Sequence, residues 1–279
     1  MLPKALVKEF VKSPTWFWSF QIVSVIFLAS YIFLSIMDEV EPGNLWGLIY
    51  GSVSALLMLA VGLYGVRRRQ MSNSSRLKLG KSLTWVQLHI YGGTLFLFLM
   101  FLHIDFKLPH GSLNWWLWSV SIWVTLSGFL GLFLQKWIPK MLSSALNIEV
   151  RYDRIEELVN ELKNKADKEA ANAAGPIKDF YNRTIAHEME RPVFRWAHFR
   201  DITGGNLARI RQMDYLRELL SDEDLKSLDN IESYYLSKLE CDAHYTLQRP
   251  LRLWLITHLP LSLLLFVLLF IHLYAVYYY

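Results

Sequence analysis

Five stretches of the chain contain no Asp, Glu, Lys or Arg, and apolar side chains dominate each of them. The stretches cover residues 13–37, 42–66, 82–104, 108–135 and 253–279. Each can supply the roughly 20 consecutive apolar residues that a membrane-crossing helix needs. The pattern therefore predicts an all-α membrane protein with five transmembrane helices whose outer surfaces contact membrane lipid.

Between the fourth and fifth apolar stretches the pattern changes. Apolar residues recur there at helical spacing on a charged background, as at Ile155, Leu158, Val159 and Leu162. We predict three parts: the first four transmembrane helices in 1–138, a helical insert in 139–250 and the fifth transmembrane helix in 251–279. The fourth helix is expected to end at Pro139, and the last helix of the insert is expected to cover 222 to about 247.

Charge and cysteine content narrow the class of protein. The 279-residue chain is 53% hydrophobic and has a formal net charge of +4. Residues 139–250 contain 17 basic and 20 acidic residues, so the basic excess belongs to the membrane part. Basic loops between transmembrane helices report topology, and they do not indicate nucleic-acid binding. With the single cysteine Cys241, the chain has no internal disulfide and no CxxCH motif for covalent haem attachment.

The loop charges predict an orientation. Loop 38–44 contains no Lys or Arg, and loop 105–114 contains only Lys107. The loop between the second and third apolar stretches carries Arg67, Arg68, Arg69, Arg76, Lys78 and Lys81. The positive-inside rule then puts the N-terminus, this basic loop and the insert in the cytoplasm and the C-terminus outside. We expect a bacterial-type inner membrane, with an uncleaved first helix that is too long for a signal peptide.

Two histidine pairs are the main candidate site. His89 and His103 lie in the third apolar stretch, His258 and His272 lie in the fifth, and each pair is fourteen residues apart. At 100° per residue, fourteen steps fall about 40° short of four full turns, so each pair shares one helix face and spans roughly 21 Å. Histidines inside a membrane are costly and usually functional.

The topology predicts which histidines meet. The third and fifth helices run in the same direction, so His89 is level with His258 on the cytoplasmic side and His103 with His272 on the outer side. Each level then has two imidazoles, which fits the axial ligation of one b-type haem. The alternative is a haem-free structural or proton-relay subunit. A relay would normally include a carboxylate, and the five apolar stretches contain none.

Glycine and arginine positions give weaker indications. Gly51 and Gly65 are also fourteen residues apart in the second helix, where glycine would let the backbone approach a macrocycle. Packing between helices through small residues explains them equally well. Arg249 and Arg252, just before the last apolar stretch, are candidates to bind haem propionates. Topology-setting charge is an equally good explanation for either arginine.

The patterns His89-x13-His103 and His258-Leu-Pro-x11-His272 resemble the di-haem cytochrome b superfamily, the membrane subunits of quinol–cytochrome c reductases. Gly51 and Gly65 match the glycines of the first core helix in that family. The resemblance implies four core helices, a peripheral first helix, two b haems, a quinone, and a c-type cytochrome or iron–sulfur protein as partner. The chain departs from the family in its 112-residue insert and in lacking a PEWY-like quinol motif.

A second resemblance is to the membrane domains of ferric reductases, which also carry histidine pairs on their third and fifth helices. Those enzymes continue into flavin and nucleotide domains, so a separate flavoprotein would have to supply electrons here. We expect an electron-transfer subunit of a quinone-linked oxidoreductase complex rather than an enzyme acting alone. In that case Asp105, Lys107 and His110 of the outer loop could line a quinone or partner site.

Overall fold

The computed structural model describes residues 14–37, 40–72, 82–146, 150–202 and 206–278, and these contain helices and no strand. The helices in chain order are α1 Pro14–Met37, α2 Leu45–Ser72, α3 Ser82–His103, α4 Ser112–Ala145, α5 Ile155–Asn172, α6 Gly175–Phe180, α7 Asn206–Arg217 and α8 Asp222–Tyr278. The predicted all-α class is confirmed.

Within the described residues, five helices are long and apolar enough to cross a membrane: α1, α2, α3, α4 and α8. Each of the five helices overlaps one of the five predicted stretches. Helix α1 has no buried residue, and its Ile36 side chain is 76% exposed. Apolar surface of this extent is stable only against lipid, so the chain is a multi-pass membrane protein in contact with lipid.

The chain forms two compact units, and the first contains Met1–Leu130 and Thr257–Tyr279. Helices α2 and α3 pack closely along each other, and α1 packs on α3. Leu99 and Leu102 on α3 are fully buried. A second core cluster joins α2, α3, α4 and α8 through Ala55, Met58, Phe96, Val120, Leu265 and Leu269. Four helices therefore meet in this core, and α1 lies at its periphery, as predicted.

The second unit is Gly131–Ile256, with its own apolar core. The helical spacing seen in the sequence buries Ile155, Val159 and Leu162 on one face of α5. Leu228, Ile231 and Leu239 of α8 belong to the same cluster. The C-terminal part of α4 and the N-terminal part of α8 also belong to this unit.

Two predicted helix ends are wrong. Helix α4 continues through Pro139 to Ala145, since a proline costs a helix one N–H donor but does not oblige it to stop. Helix α8 runs without interruption from Asp222 to Tyr278, although the insert helix was expected to end near 247. The polar residues at the expected break are held by tertiary contacts, and Gln248 donates to the Val150 carbonyl at 2.8 Å.

Candidate functional site

The first unit brings His103 and His272 together. The ring centroids of His103 on α3 and His272 on α8 are 6.5 Å apart, and their planes are inclined by 80°. His89 and His258 lie within electrostatic range of each other. All four imidazoles are half-buried. The His103–His272 contact therefore has the predicted register, and the electrostatic interaction of His89 with His258 agrees with α3 and α8 running in the same direction.

A backbone carbonyl of α2 orients His103. The Nδ1 atom of His103 lies 2.8 Å from the carbonyl oxygen of Gly47. A carbonyl only accepts hydrogen bonds, so Nδ1 carries the proton and donates. The other ring nitrogen, Nε2, is then the unprotonated one, which is the form that binds a metal. This contact selects the tautomer that an axial ligand requires.

His89 and His258 are oriented in the same manner by groups on two different helices. His89 Nδ1 lies 3.3 Å from the Val61 carbonyl oxygen on α2. His258 Nδ1 lies 2.7 Å from the Ser127 hydroxyl on α4. The Ser127 hydroxyl proton is directed to the Val124 carbonyl at 2.9 Å, so the Ser127 oxygen accepts from His258. In three of the four histidines Nδ1 is thus engaged as a donor.

The two candidate glycines have different surroundings. A Cβ atom on Gly51 would lie 2.8 Å from Nδ1 of His103 and 2.9 Å from its Cε1, closer than real contacts allow. Gly51 therefore makes room for the His103 ring itself. A Cβ on Gly65 would meet nothing within 4 Å. The prediction that both glycines make room for a macrocycle stays a prediction.

The two candidate arginines make ring contacts within the second unit. Arg249 and Arg252 belong to the second unit, where their guanidinium groups lie 5.3 Å from the Phe194 ring and 4.8 Å from the Tyr152 ring. A role for them as propionate ligands stays a prediction.

Asp105 ends α3 in an unusual conformation. Its φ is +54°, and that of Phe106 is +53°, values that non-glycine residues rarely adopt. The Tyr31 hydroxyl donates to Asp105 Oδ1 at 2.6 Å, and Lys107 Nζ pairs with Oδ2 at 2.9 Å. Burial raises the pKa of Asp105, but the bonds from Tyr31 and Lys107 outweigh it and hold that pKa below its usual value. His110 is exposed in the same loop.

The separation of the His103 and His272 rings is close to that of two imidazoles bound to one metal ion. An imidazole nitrogen binds a transition metal at about 2 Å, so two rings on opposite sides of one ion have centroids roughly 6 Å apart. The observed separation is 6.5 Å. The described residues contain no group of three or more His, Cys, Asp or Glu side chains that could hold a metal ion. The chemistry available at each level is thus that of two imidazoles.

Sequence reasoning missed the groups that orient the histidines. Ser127 is one of several serines in an apolar helix, and it lies 131 residues from His258 along the chain. The Gly47 and Val61 carbonyls belong to the backbone and have no signature of their own. Gly51 is the sequence signal that could have predicted the Gly47 contact. It lies one turn after Gly47 and brings the α2 backbone close to His103.

A scan against protein-family models and searches of curated proteins and of solved structures found no match to this chain.

Proposed function

We propose that this protein carries electrons across a membrane through two b-type haems, one held by His89 and His258 and the other by His103 and His272. The observation that supports this best is the pair His103–His272, whose ring centroids are 6.5 Å apart within an apolar helix bundle. The donor bond from His103 Nδ1 to Gly47 leaves Nε2 free to bind iron.

The residues present fit such a group at each level. The two imidazoles at each level would hold the group, and Gly51 keeps the α2 backbone close to the His103 ring. A haem held by two histidines would supply one-electron transfer and no binding position for a substrate. The chain's own residues then bind and orient the group, exclude water from it and leave substrate chemistry to other subunits.

The fourteen-residue spacing gives the proposed path its direction across the membrane. The members of each pair are separated by roughly 21 Å along their helix, which is most of the ~30 Å hydrocarbon thickness. Electrons would pass between a quinone pool and a partner redox protein, such as a c-type cytochrome or an iron–sulfur protein. Loop charge favours a bacterial-type inner membrane with the insert in the cytoplasm and the C-terminus outside.

A reduced-minus-oxidised optical spectrum of the full-length protein in detergent tests the proposal. We expect a b-type α-band and two haems per chain. His103→Ala should remove about half of the haem and leave the other half, and His89→Ala should do the same. The exposed loop residue His110, replaced by Ala, is the matched control and should retain both haems.

Two results would overturn the assignment. Unaltered protein without an α-band, purified from haem-replete cells, favours the haem-free structural or relay subunit. Retention of two haems in His103→Ala would show that this histidine is not a ligand. A spectrum with two haems whose reduction requires a flavoprotein and not a quinol would favour the arrangement of the ferric reductases.

A further inference from the structure

Residues 193–195 of the second unit form a segment that lies along α8 and runs towards the apolar end of that helix. The Val193 N–H donates to Asp242 Oδ1 at 2.8 Å, and the Arg195 N–H donates to Thr246 Oγ1 at 3.1 Å. As the segment advances by two residues, its contact on α8 advances by four, or roughly 6 Å. That direction leads to residue 253, where the last charge-free stretch begins.

The segment ends in a cluster of four aromatic rings, which we call the aromatic edge. It consists of Trp137, Phe194, Trp196 and Phe199. Trp137 of α4 stacks on Phe199 with centroids 6.4 Å apart and planes inclined by 21°. The ring of Trp196 lies 5.1 Å from that of Phe194 and 5.7 Å from that of Phe199.

The charge-free stretches of α4 and α8 each indicate that the aromatic edge lies at the boundary of the membrane. Trp137 follows the charge-free stretch 108–135 by two residues, or roughly 3 Å along α4. Arg249, whose guanidinium covers the Phe194 ring at 5.3 Å, precedes the last charge-free stretch by four residues. The two helices also touch there, because a Cβ on Gly131 would lie 2.1 Å from the Trp254 ring.

The outward face of the aromatic edge is open and amphipathic. The Trp196 side chain is 77% exposed, the largest exposed fraction among the tryptophans with an exposed side chain. Ala197, Arg200 and Arg249 are also exposed. Tryptophan is favoured at the level of lipid headgroups because its ring is apolar and its N–H is polar. Exposed arginines beside it complement the phosphate groups of phospholipids.

We propose that residues 194–199 are an anchor that inserts Trp196 into the headgroup layer of the membrane that the chain itself spans. The occupant of this surface is the phospholipid interface, because the surface continues from the ends of two membrane-crossing helices and carries cations beside an exposed indole. The anchor ties the insert to the bilayer surface, and it does not depend on the presence of haem.

Spin labelling of the full chain in nanodiscs of phosphatidylcholine and phosphatidylglycerol tests the anchor. The only cysteine, Cys241, is fully buried, so unaltered protein provides the labelling blank. Ala197→Cys puts a label beside Trp196 and leaves the tryptophan in place. Leu219→Cys is the control: Leu219 is 67% exposed, and more than about 40 Å of helix separate the start of α8 from residue 253.

We expect the label at position 197 to collide several-fold more with oxygen, relative to a water-soluble nickel chelate, than the label at position 219. Adding Trp196→Ser to Ala197→Cys should remove most of that difference. Equal access of the nickel chelate to both labels would overturn the proposal. Shielding of the 197 label from both reagents would also overturn it, because a protein partner or a second copy of the chain would then cover this surface.

Discussion

The Ser127 hydroxyl of α4 lies 2.7 Å from Nδ1 of His258 on α8. The partner of His258 is thus a side chain, whereas the partners of His103 and His89 are backbone carbonyls. A side-chain partner can be removed by substitution without altering the backbone. This asymmetry allows one level of the proposed haem site to be perturbed while the other is left intact.

Ser127→Ala is expected to weaken the haem at His89 and His258 and to leave the haem at His103 and His272 unchanged. Removing such a hydrogen-bond partner typically costs about 10-fold or more in metal affinity. Redox titration and haem retention on dilution measure the change. Ser121→Ala is the matched control, since Ser121 is buried in the same helix and donates to its own Leu117 carbonyl at 2.7 Å. An equal effect of both variants, or on both haems, would contradict the assignment.

Gly51→Ala is expected to destabilise the protein even without haem. Its Cβ would lie 2.8 Å from the His103 ring, and overpacking of this kind costs about 1–3 kcal/mol, more than the gain in helix propensity. Thermal unfolding of haem-free protein in detergent measures it. Gly65→Ala, with nothing within 4 Å, should keep its unfolding temperature. If Gly65 makes room for a macrocycle, Gly65→Ala should bind less haem without any loss of stability in the haem-free protein. Unchanged haem binding would refute that role.

The membrane helices could be predicted because each depends on a local property. A charge-free stretch of about 20 apolar residues, such as 82–104, has few stable alternatives to a membrane helix. The register of the histidine pairs followed from helix periodicity and from loop charge, and no tertiary information was needed. These features are encoded within single segments of the chain.

The features that the sequence did not predict depend on contacts between distant segments of the chain. Where α8 continues through Pro250, Gln248 donates to the Val150 carbonyl and Arg252 covers the Tyr152 ring, and neither contact has a local signal in the sequence. The contact between Ser127 and His258 likewise has no local signal in the sequence. The direction of the segment after Val193 likewise depends on a buried aspartate 49 residues further along the chain.

Tyr31→Phe is expected to reduce stability mainly at neutral pH. The pKa of Asp105 is held below its unfolded value, so its contribution is complete above the unfolded pKa and is lost as the pH falls through the folded pKa. Removing the Tyr31 bond of 2.6 Å should cost about 1–2 kcal/mol at pH 7 and progressively less in acid. Unfolding temperatures of both proteins, measured from pH 7 down into acid, give the stability that Tyr31→Phe loses at each pH.

Tyr50→Phe serves as the control for this pH dependence. The Tyr50 hydroxyl bonds to Ser30 at 3.0 Å, and no carboxylate takes part in that bond. Its loss should therefore lower the unfolding temperature by a similar amount at each pH. A Tyr31→Phe defect that is equally independent of pH would show that the bond to Asp105 does not favour the ionised carboxylate.

Lys238→Met is expected to loosen the insert half of α8 severely. Lys238 Nζ and Asp242 Oδ2 are 2.8 Å apart, and both side chains are fully buried. Removing the lysine leaves the buried Asp242 carboxylate with the longer ion pair to Arg195 Nε at 3.7 Å, and losing one partner of a buried pair costs about 3–5 kcal/mol. Hydrogen exchange of the amides in 222–247, followed by mass spectrometry, measures the free energy of local opening. The exposed pair Arg154–Glu157 is the control, and Arg154→Met should cost less than about 1 kcal/mol.

A double variant separates lost charge balance from lost packing. Lys238→Met with Asp242→Asn removes both charges, and the asparagine oxygen can still accept the Val193 N–H that holds the segment running to Trp196. We therefore expect the double variant to recover much of the exchange protection lost in Lys238→Met. Protection as low as in the single variant would mean that the lysine stem acts by packing. In Asp242→Ala the segment also loses its acceptor, so its amides should exchange faster than in the double variant.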